Sequence, residues 1–326
     1  MDLARLRQNS FLVLGRAGMD LYADPPGTRL EDAERFSSAL GGSAANIAAA
    51  IVKLGGAVAL ITTVSDDAVG RFTSNQLRHY GIGTQYVTTV GGEARNSLAI
   101  VETRNEDCQS VIYRNGAADF ALTGQDVAAI RYSDFGAIVV TGTSLAMEPS
   151  RGATIRAMAL ARQAGLVVVL DVDYRPYSWA TAGDAGETCA HAASMSDIIV
   201  GNDIEFAVIA GTGDGLGLAR KLAEEAQRII VYKMGEKGSV TFCEGRSFET
   251  GIYPVAALKP TGAGDAFMGG FLTSLASSLN LEAAVQRGSA AAAIVVTRVG
   301  CAPAMPTPSE LASFIAGRTA SARHKG

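Results

Sequence analysis

Aromatic residues make up only 6% of this 326-residue chain, with a single tryptophan. Histidine is scarcer still: His79, His191 and His324 are the three, and none has a second metal-binding side chain beside it. The four cysteines, Cys108, Cys189, Cys243 and Cys301, are scattered and form no Cys-x-x-Cys pair, which excludes a disulfide scaffold or a zinc knuckle. No apolar run is long enough to span a bilayer, and the N-terminal run 11–14 is too short for a signal-peptide core. A cytoplasmic protein is therefore expected. With a net charge of −4 and no basic block, the chain offers nothing to nucleic acid or to an anionic membrane surface. The P-loop pattern Gly-x-x-x-x-Gly-Lys-Ser/Thr is absent, and no internal repeat is visible.

What is present is a 48% hydrophobic content and 37 glycines, enough for one large α/β domain with many tight turns. Residues 11–15 and 57–64 read as buried strands, with an alanine-rich helix over 44–54 between them, and a helix over 69–80 follows. Residues 96–102 and 110–114 alternate as a hairpin with one wet face. With the polar segment 16–38 they form a small extra sheet. From residue 137 the rhythm is regular. Short Val- and Ile-rich strands at 137–141, 166–172, 198–200 and 229–233 alternate with helices at 152–163, 185–195 and 216–226. This predicts a doubly wound, mostly parallel sheet with helices on both faces, and chemistry just beyond the strand carboxyl ends. Segments 239–242 and 248–255 read as an antiparallel edge, and 281–296 as a last helix. The tail after Ser321 is expected to fray.

One stretch concentrates the chemistry. Lys259-Pro260-Thr261-Gly262-Ala263-Gly264-Asp265 is a glycine turn that opens an apolar helix. Such a turn leaves unpaired N–H groups at a positive helix end, an anion site. Asp265 falls at the expected N-cap, where aspartate is favoured for structural reasons alone. The three small residues before it point further, to a carboxylate placed beside bound phosphate, as phosphoryl transfer requires. A second glycine turn, Leu40-Gly41-Gly42-Ser43, opens the alanine-rich helix, with Ser43 as its candidate cap. The glycines between 211 and 217 read as a surface loop, since no strand leads into them.

These residues carry a resemblance. Gly41-Gly42-Ser43-Ala44-Ala45-Asn46-Ile47-Ala48, followed by Leu54-Gly55, resembles the first signature of the ribokinase-like, PfkB-type sugar kinases, and Pro260 to Phe267 resembles the second. The resemblance covers nearly the whole chain. It implies a doubly wound α/β domain spanning 1–326 with a small β-sheet lid from about 16–38 and 95–116, and a homodimer formed through that lid. It implies ATP and Mg2+, with Asp265 as catalytic base and Gly262, Ala263 and Gly264 as the anion hole. Asp20, Gly42 and Asn46 would hold sugar hydroxyls. Asn202 and Glu205 would lie near magnesium and the phosphates, with Lys233, Gly235 and Gly238 on the nucleotide side and no residue assigned as a direct metal ligand.

The segment from Asp171 to Trp179 is similar to a branch of that family acting on a keto-deoxy sugar acid from myo-inositol breakdown. That implies Arg175 and Arg114 as grips on a carboxylate, a task suited to the guanidinium fork. The structural alternatives are an ion pair at a strand end for Arg175 and a solvated lid arginine for Arg114. Other ketose or 2-keto-3-deoxygluconate kinases remain alternatives, as does a non-catalytic sugar-binding relative, although a binder has no use for the base. Many relatives carry Asp where this chain has Lys259, and that Asp helps hold a potassium ion. Here either the lysine is solvated, or its ammonium replaces the ion and removes any monovalent cation requirement.

Overall fold

The computed structural model describes residues 3–318; His324 and the tail after Ser321 lie outside them. The chain gives β1 (Ser10–Leu14), β2 (Gly18–Asp24), β3 (Arg35–Gly41) and α1 (Ser43–Lys53), then β4 (Ala57–Ser65), α2 (Ala68–His79) and β5 (Gly83–Val90). A hairpin, β6 (Leu98–Val101) and β7 (Ser110–Tyr113), and a short α3 (Gly124–Ala128) follow. Strict alternation comes next: β8 (Ala137–Thr141), α4 (Ser150–Gln163), β9 (Val167–Asp171), α5 (Ala182–Ser194), β10 (Ile198–Asn202), α6 (Asp203–Ala210), α7 (Gly215–Ala226) and β11 (Ile229–Lys233). An antiparallel pair, β12 (Ser239–Cys243) and β13 (Arg246–Thr250), precedes α8 (Ala263–Ser278), α9 (Leu281–Val296) and α10 (Pro308–Ala316).

Nine strands form one sheet in the order β13-β12-β11-β10-β9-β8-β1-β4-β5, parallel except for β12 and β13. Its central strands are apolar on both sides, so both faces need cover. Leu12, Ile138, Val140 and Leu170 pack on one face, and Phe11, Val13, Val139 and Val169 on the other, where Phe267, Phe271 and Leu275 of α8 meet them. Each such side chain contributes on the order of 1.5–3 kcal/mol by leaving water. A separate four-stranded sheet, β3-β2-β6-β7, stands apart. Its alternation puts Ala99, Val101 and Ile112 toward a cleft in the main body.

Four expectations need correction. Asp265 is not the N-cap of α8: Gly262 holds that position with φ 84°, and Asp265 is the third helical residue. The left-handed glycine turns the chain earlier than a side-chain cap would. Ser43 does not cap α1 either; Gly42 precedes the helix and no side-chain cap bond forms. The second edge strand ends at Thr250, not at 255, because its partner β12 is only five residues long and pairs Ser239 with Thr250. Strand β5 and the helices α6 and α10 were not foreseen. Both helices carry capping boxes, Asn202 with Glu205 and Thr307 with Glu310.

Helix α8 is buried from Ala266 to Ala276, a helix covered all round. It lies between α1 and α9, and glycine makes room on each side. A Cβ on Gly269 would overlap the Cβ of Ala50 in α1, and one on Gly270 would lie 2.9 Å from Arg287 O in α9. Alanine is worth about 1 kcal/mol more than glycine inside a helix. Overpacking a close helix contact costs roughly 1–3 kcal/mol, so the clash wins. Gly269→Ala is expected to lower the urea midpoint and also kcat, because α1 and α8 each carry a site residue; a raised midpoint would show that α1 simply gives way.

Candidate active site

Two clefts meet at the glycine turn. The smaller, about 380 Å³, lies under the four-stranded sheet; the larger, about 890 Å³, lies between the carboxyl ends of β9–β11 and helices α8 and α9. Thr261, Gly262 and Asp265 line both. Gly262 is held to glycine by its left-handed φ and by Cys301, whose Sγ would lie 2.9 Å from an added Cβ. The first α8 bond runs from Ala266 N to Gly262 O at 3.0 Å. The N–H groups before it have no intrahelical acceptor and present a positive end to the junction.

Asp265 Oδ2 accepts from Asn46 Nδ2 of α1 at 3.0 Å. Its pKa is pushed up to about 7, first by burial and then by the neighbouring Asp173 carboxylate, against the pull of the Asn46 bond. A carboxylate so poised suits general-base work near neutral pH. In the smaller cleft Asp20 Oδ2 accepts from Tyr22 OH at 3.1 Å, and Tyr22 OH accepts from Cys301 N at 3.2 Å. Asp20 Oδ1 and Asn46 Oδ1 are buried with no partner among the described residues. Gly42 stands behind this wall; a Cβ there would overlap Arg16 O.

Arg114 is not solvated. It is buried, donates to Asp119 Oδ2 through Nε and Nη2 and to Thr143 O at 2.9 Å, and stacks over Phe120. Arg175 pairs with Asp173 at 2.7 Å, the strand-end ion pair that sequence allowed, and still lines the cleft. Asp173 lies two residues beyond the end of β9 with φ 39°, left-handed for a non-glycine residue, and also accepts from Thr143 Oγ1 at 3.2 Å. Sequence reading gave Asp173 no role, although it falls in the loop where ligands of a parallel sheet gather. It missed Arg16, Tyr22 and Thr143 as well, since their part depends on the fold bringing distant segments together.

In the larger cleft, Lys233 at the end of β11 brings Nζ to within 3.7 Å of a Cβ placed on Gly264, beside the turn. Gly235 and Gly238 line the same wall. Asn202 and Glu205 cap each other: Glu205 N donates to Asn202 Oδ1 at 2.9 Å and Asn202 N to Glu205 Oε2 at 2.6 Å, while Tyr174 N takes the other Glu205 oxygen. Burial pushes the Glu205 and Asp171 carboxyls up, with Lys233 opposing. No cluster of three His, Cys, Asp or Glu side chains among the described residues is able to hold a metal. Lys259 has no solvent exposure, so the solvated reading is excluded. Its Nζ donates to Thr261 O, inside the loop. Burial lowers its pKa, while Cys301, Asp265 and Asp20 pull the other way.

Residues 8–308 match the model of the pfkB family carbohydrate kinases. Over 313 residues, 94% of this chain and 95% of the relative, the sequence is 44% identical to the 5-dehydro-2-deoxygluconokinase of Photobacterium profundum. Among solved structures, the fructokinase of Xylella fastidiosa with bound ATP superposes with a TM-score of 0.84 at 24% identity, covering 95% of this chain and 99% of that one. A double mutant of the fructokinase of Vibrio cholerae O395, in a fructose, ADP and potassium ion bound form, gives 0.82 at 24% identity over 94% and 98%.

Asp265→Asn is expected to lower kcat by roughly 10²–10⁴ with little change in KM for the acceptor. The base works ionised, so kcat/KM should fall as pH drops below about 7. Asp173→Asn removes a like charge and should move that limb to lower pH; Asn46→Ala removes a donor and should move it higher. A limb that neither variant shifts would assign the titration to another group.

Proposed function

The chain belongs to the pfkB family of carbohydrate kinases, phosphotransferases that act on a sugar hydroxyl, and from that premise we propose that it phosphorylates a primary hydroxyl of 5-dehydro-2-deoxy-D-gluconate with ATP. One observation carries the reading: a poised carboxylate and a helix N-terminus stand where a sugar-sized cleft and a nucleotide-sized cleft join. In this scheme the sugar lies in the smaller cleft. Asp20 and Asn46 accept from its hydroxyls, which would satisfy two buried acceptors each costing about 1–3 kcal/mol when unpaired; Gly42 shapes the same wall through its backbone. The acid end faces Arg175 and Arg114.

Asp265 takes the proton from the primary hydroxyl. That oxygen forms a bond to the γ-phosphorus as the bond to the β,γ-bridging oxygen breaks, and ADP leaves. Gly262, Ala263 and Gly264 supply the anion hole for the transferring group, and Lys233 a positive charge beside it. Gly235 and Gly238 flank the nucleotide. Mg2+ would enter with the nucleotide phosphates, near Asn202 and Glu205 of the larger cleft, and would supply neutralisation of phosphate charge.

The activity for which the Photobacterium relative is named supports the substrate, and the arginines suit an acid. The four-stranded sheet acts as a lid on a single domain, and its outer face, with Phe36, Val111 and Tyr113 exposed, suits a homodimer. A cytoplasmic location agrees with ATP as donor and with four free cysteines; no helix among the described residues is long and apolar enough to cross a membrane. In a panel of ADP-release assays, 5-dehydro-2-deoxy-D-gluconate should exceed neutral ketoses in kcat/KM by a factor on the order of 10² or more. A higher value for 2-keto-3-deoxygluconate would reassign the substrate, and no turnover with any sugar would point to a binding protein.

Lys259 supports independence from monovalent cations. Its ammonium bonds a loop carbonyl, and a second unit charge 4 Å away would be repelled by about 4 kcal/mol at an effective dielectric near 20. The Vibrio fructokinase was captured with potassium; this chain should need none. Initial rates in tetramethylammonium buffer at fixed ionic strength should stay flat as potassium is titrated in, and a several-fold rise at millimolar potassium would refute the replacement.

A further inference from the structure

Three guanidiniums line the smaller cleft: Arg16, Arg114 and Arg175. Two are matched by carboxylates of the protein, Arg114 by Asp119 and Arg175 by Asp173. Arg16 has no such ion pair among the described residues. It is buried to 9% exposure, and its one side-chain bond runs from Nη1 to Ser97 Oγ at 3.1 Å. Its remaining nitrogens meet no protein acceptor among the described residues, and none is counted among the sealed, unpartnered polar atoms. They open on the cleft.

The position is prepared. Arg16 O accepts from Ala45 N of α1 at 3.3 Å, and Gly42 lies close against the same carbonyl. Backbone and side chain are thus both held, one by the first glycine turn and the other by Ser97 at the foot of β6. Asp20 accepts from Tyr22 and feels the Arg16 charge across the cleft, but the two form no ion pair or hydrogen bond, so the guanidinium face stays open to a ligand.

A sugar carboxylate entering here brings negative charge into a cleft already lined by Asp20, Asp173 and Asp265. Arg114 and Arg175 offer donors whose charge is balanced within the protein. Selection of an acid over a neutral sugar is strongest where a guanidinium fork is not already paired by a carboxylate of the protein. We propose that Arg16 is the specificity-determining residue of this cleft: beside Arg114 and Arg175 it supplies the one guanidinium there that no carboxylate among the described residues pairs, and it binds the carboxylate of the sugar acid. This rests on the sugar-acid reading above.

The test is kcat and KM for wild type, Arg16→Gln and Arg16→Lys on 5-dehydro-2-deoxy-D-gluconate and on its neutral counterpart, in which the carboxylate is reduced to an alcohol. A hydrogen bond to a charged group is worth about 1.5–3 kcal/mol. Arg16→Gln should therefore lose on the order of 10- to 100-fold in kcat/KM on the acid, mainly through KM, and less than threefold on the neutral sugar. Glutamine keeps a donor for Ser97, which preserves the local packing. Arg16→Lys keeps the charge without the fork and should fall between the two. Equal losses on both sugars, or a loss in kcat alone, would make Arg16 a structural residue and overturn the proposal. A wild type without acid preference would overturn the sugar-acid reading and this inference together, so the two failures are distinguishable.

Discussion

The site depends on how closely α1 approaches α8. Gly269 and Ala50 leave no space for a further methyl between them, and that contact fixes the N-termini of the two helices side by side. One start carries Asn46 and the other Asp265. Their hydrogen bond spans 219 residues of sequence. A wider crossing would lose the bond, and with it the donor to the Asp265 carboxylate. Close packing here thus shapes the cleft as much as it serves stability: the glycines forgo helix propensity so that two glycine turns share one junction.

Electrostatics organises the rest of the junction. Burial first, and then the repulsion of neighbouring carboxylates, drives the carboxyls of Asp171, Glu205 and Asp265 toward their neutral forms. Lys233 opposes this in the larger cleft. Arg175 and Arg16 do so for Asp265, while Arg114 pairs with Asp119 and Arg175 also with Asp173. Asp173 is held in a left-handed backbone conformation, as residues with defined duties near active sites often are. Lys259 belongs to the same balance of charge, a fully buried ammonium bonded to the loop that begins α8.

Capping explains what sequence reading overlooked. Asn202 and Glu205 were read for what a phosphate site would want, and they do line the larger cleft, but their side chains also start α6. The same pattern at Thr307 and Glu310 passed unnoticed because it preceded no motif. At Gly262 and Gly42 the error ran the other way. Helix starts there were given polar caps at Asp265 and Ser43, whereas the fold leaves both uncapped by side chains, which keeps the amides free.

The alternation of apolar strands with helices determined the doubly wound sheet, because a strand buried on both faces has no other partner than helices on each side. The two glycine turns determined that helix starts with free amides would form and that Asp265 would stand beside one of them, since local backbone geometry follows from local sequence. The antiparallel edge and the extra sheet were legible for the same reason, apart from their ends, which partner length decides. Which arginine is left without an ion pair was not legible. That depends on Asp119 and Asp173 reaching Arg114 and Arg175 while no carboxylate among the described residues pairs with Arg16. Nor did the sequence distinguish a solvated Lys259 from a sealed one. Ion pairing and burial are properties of side chains that meet only after folding, so tertiary structure alone decided them.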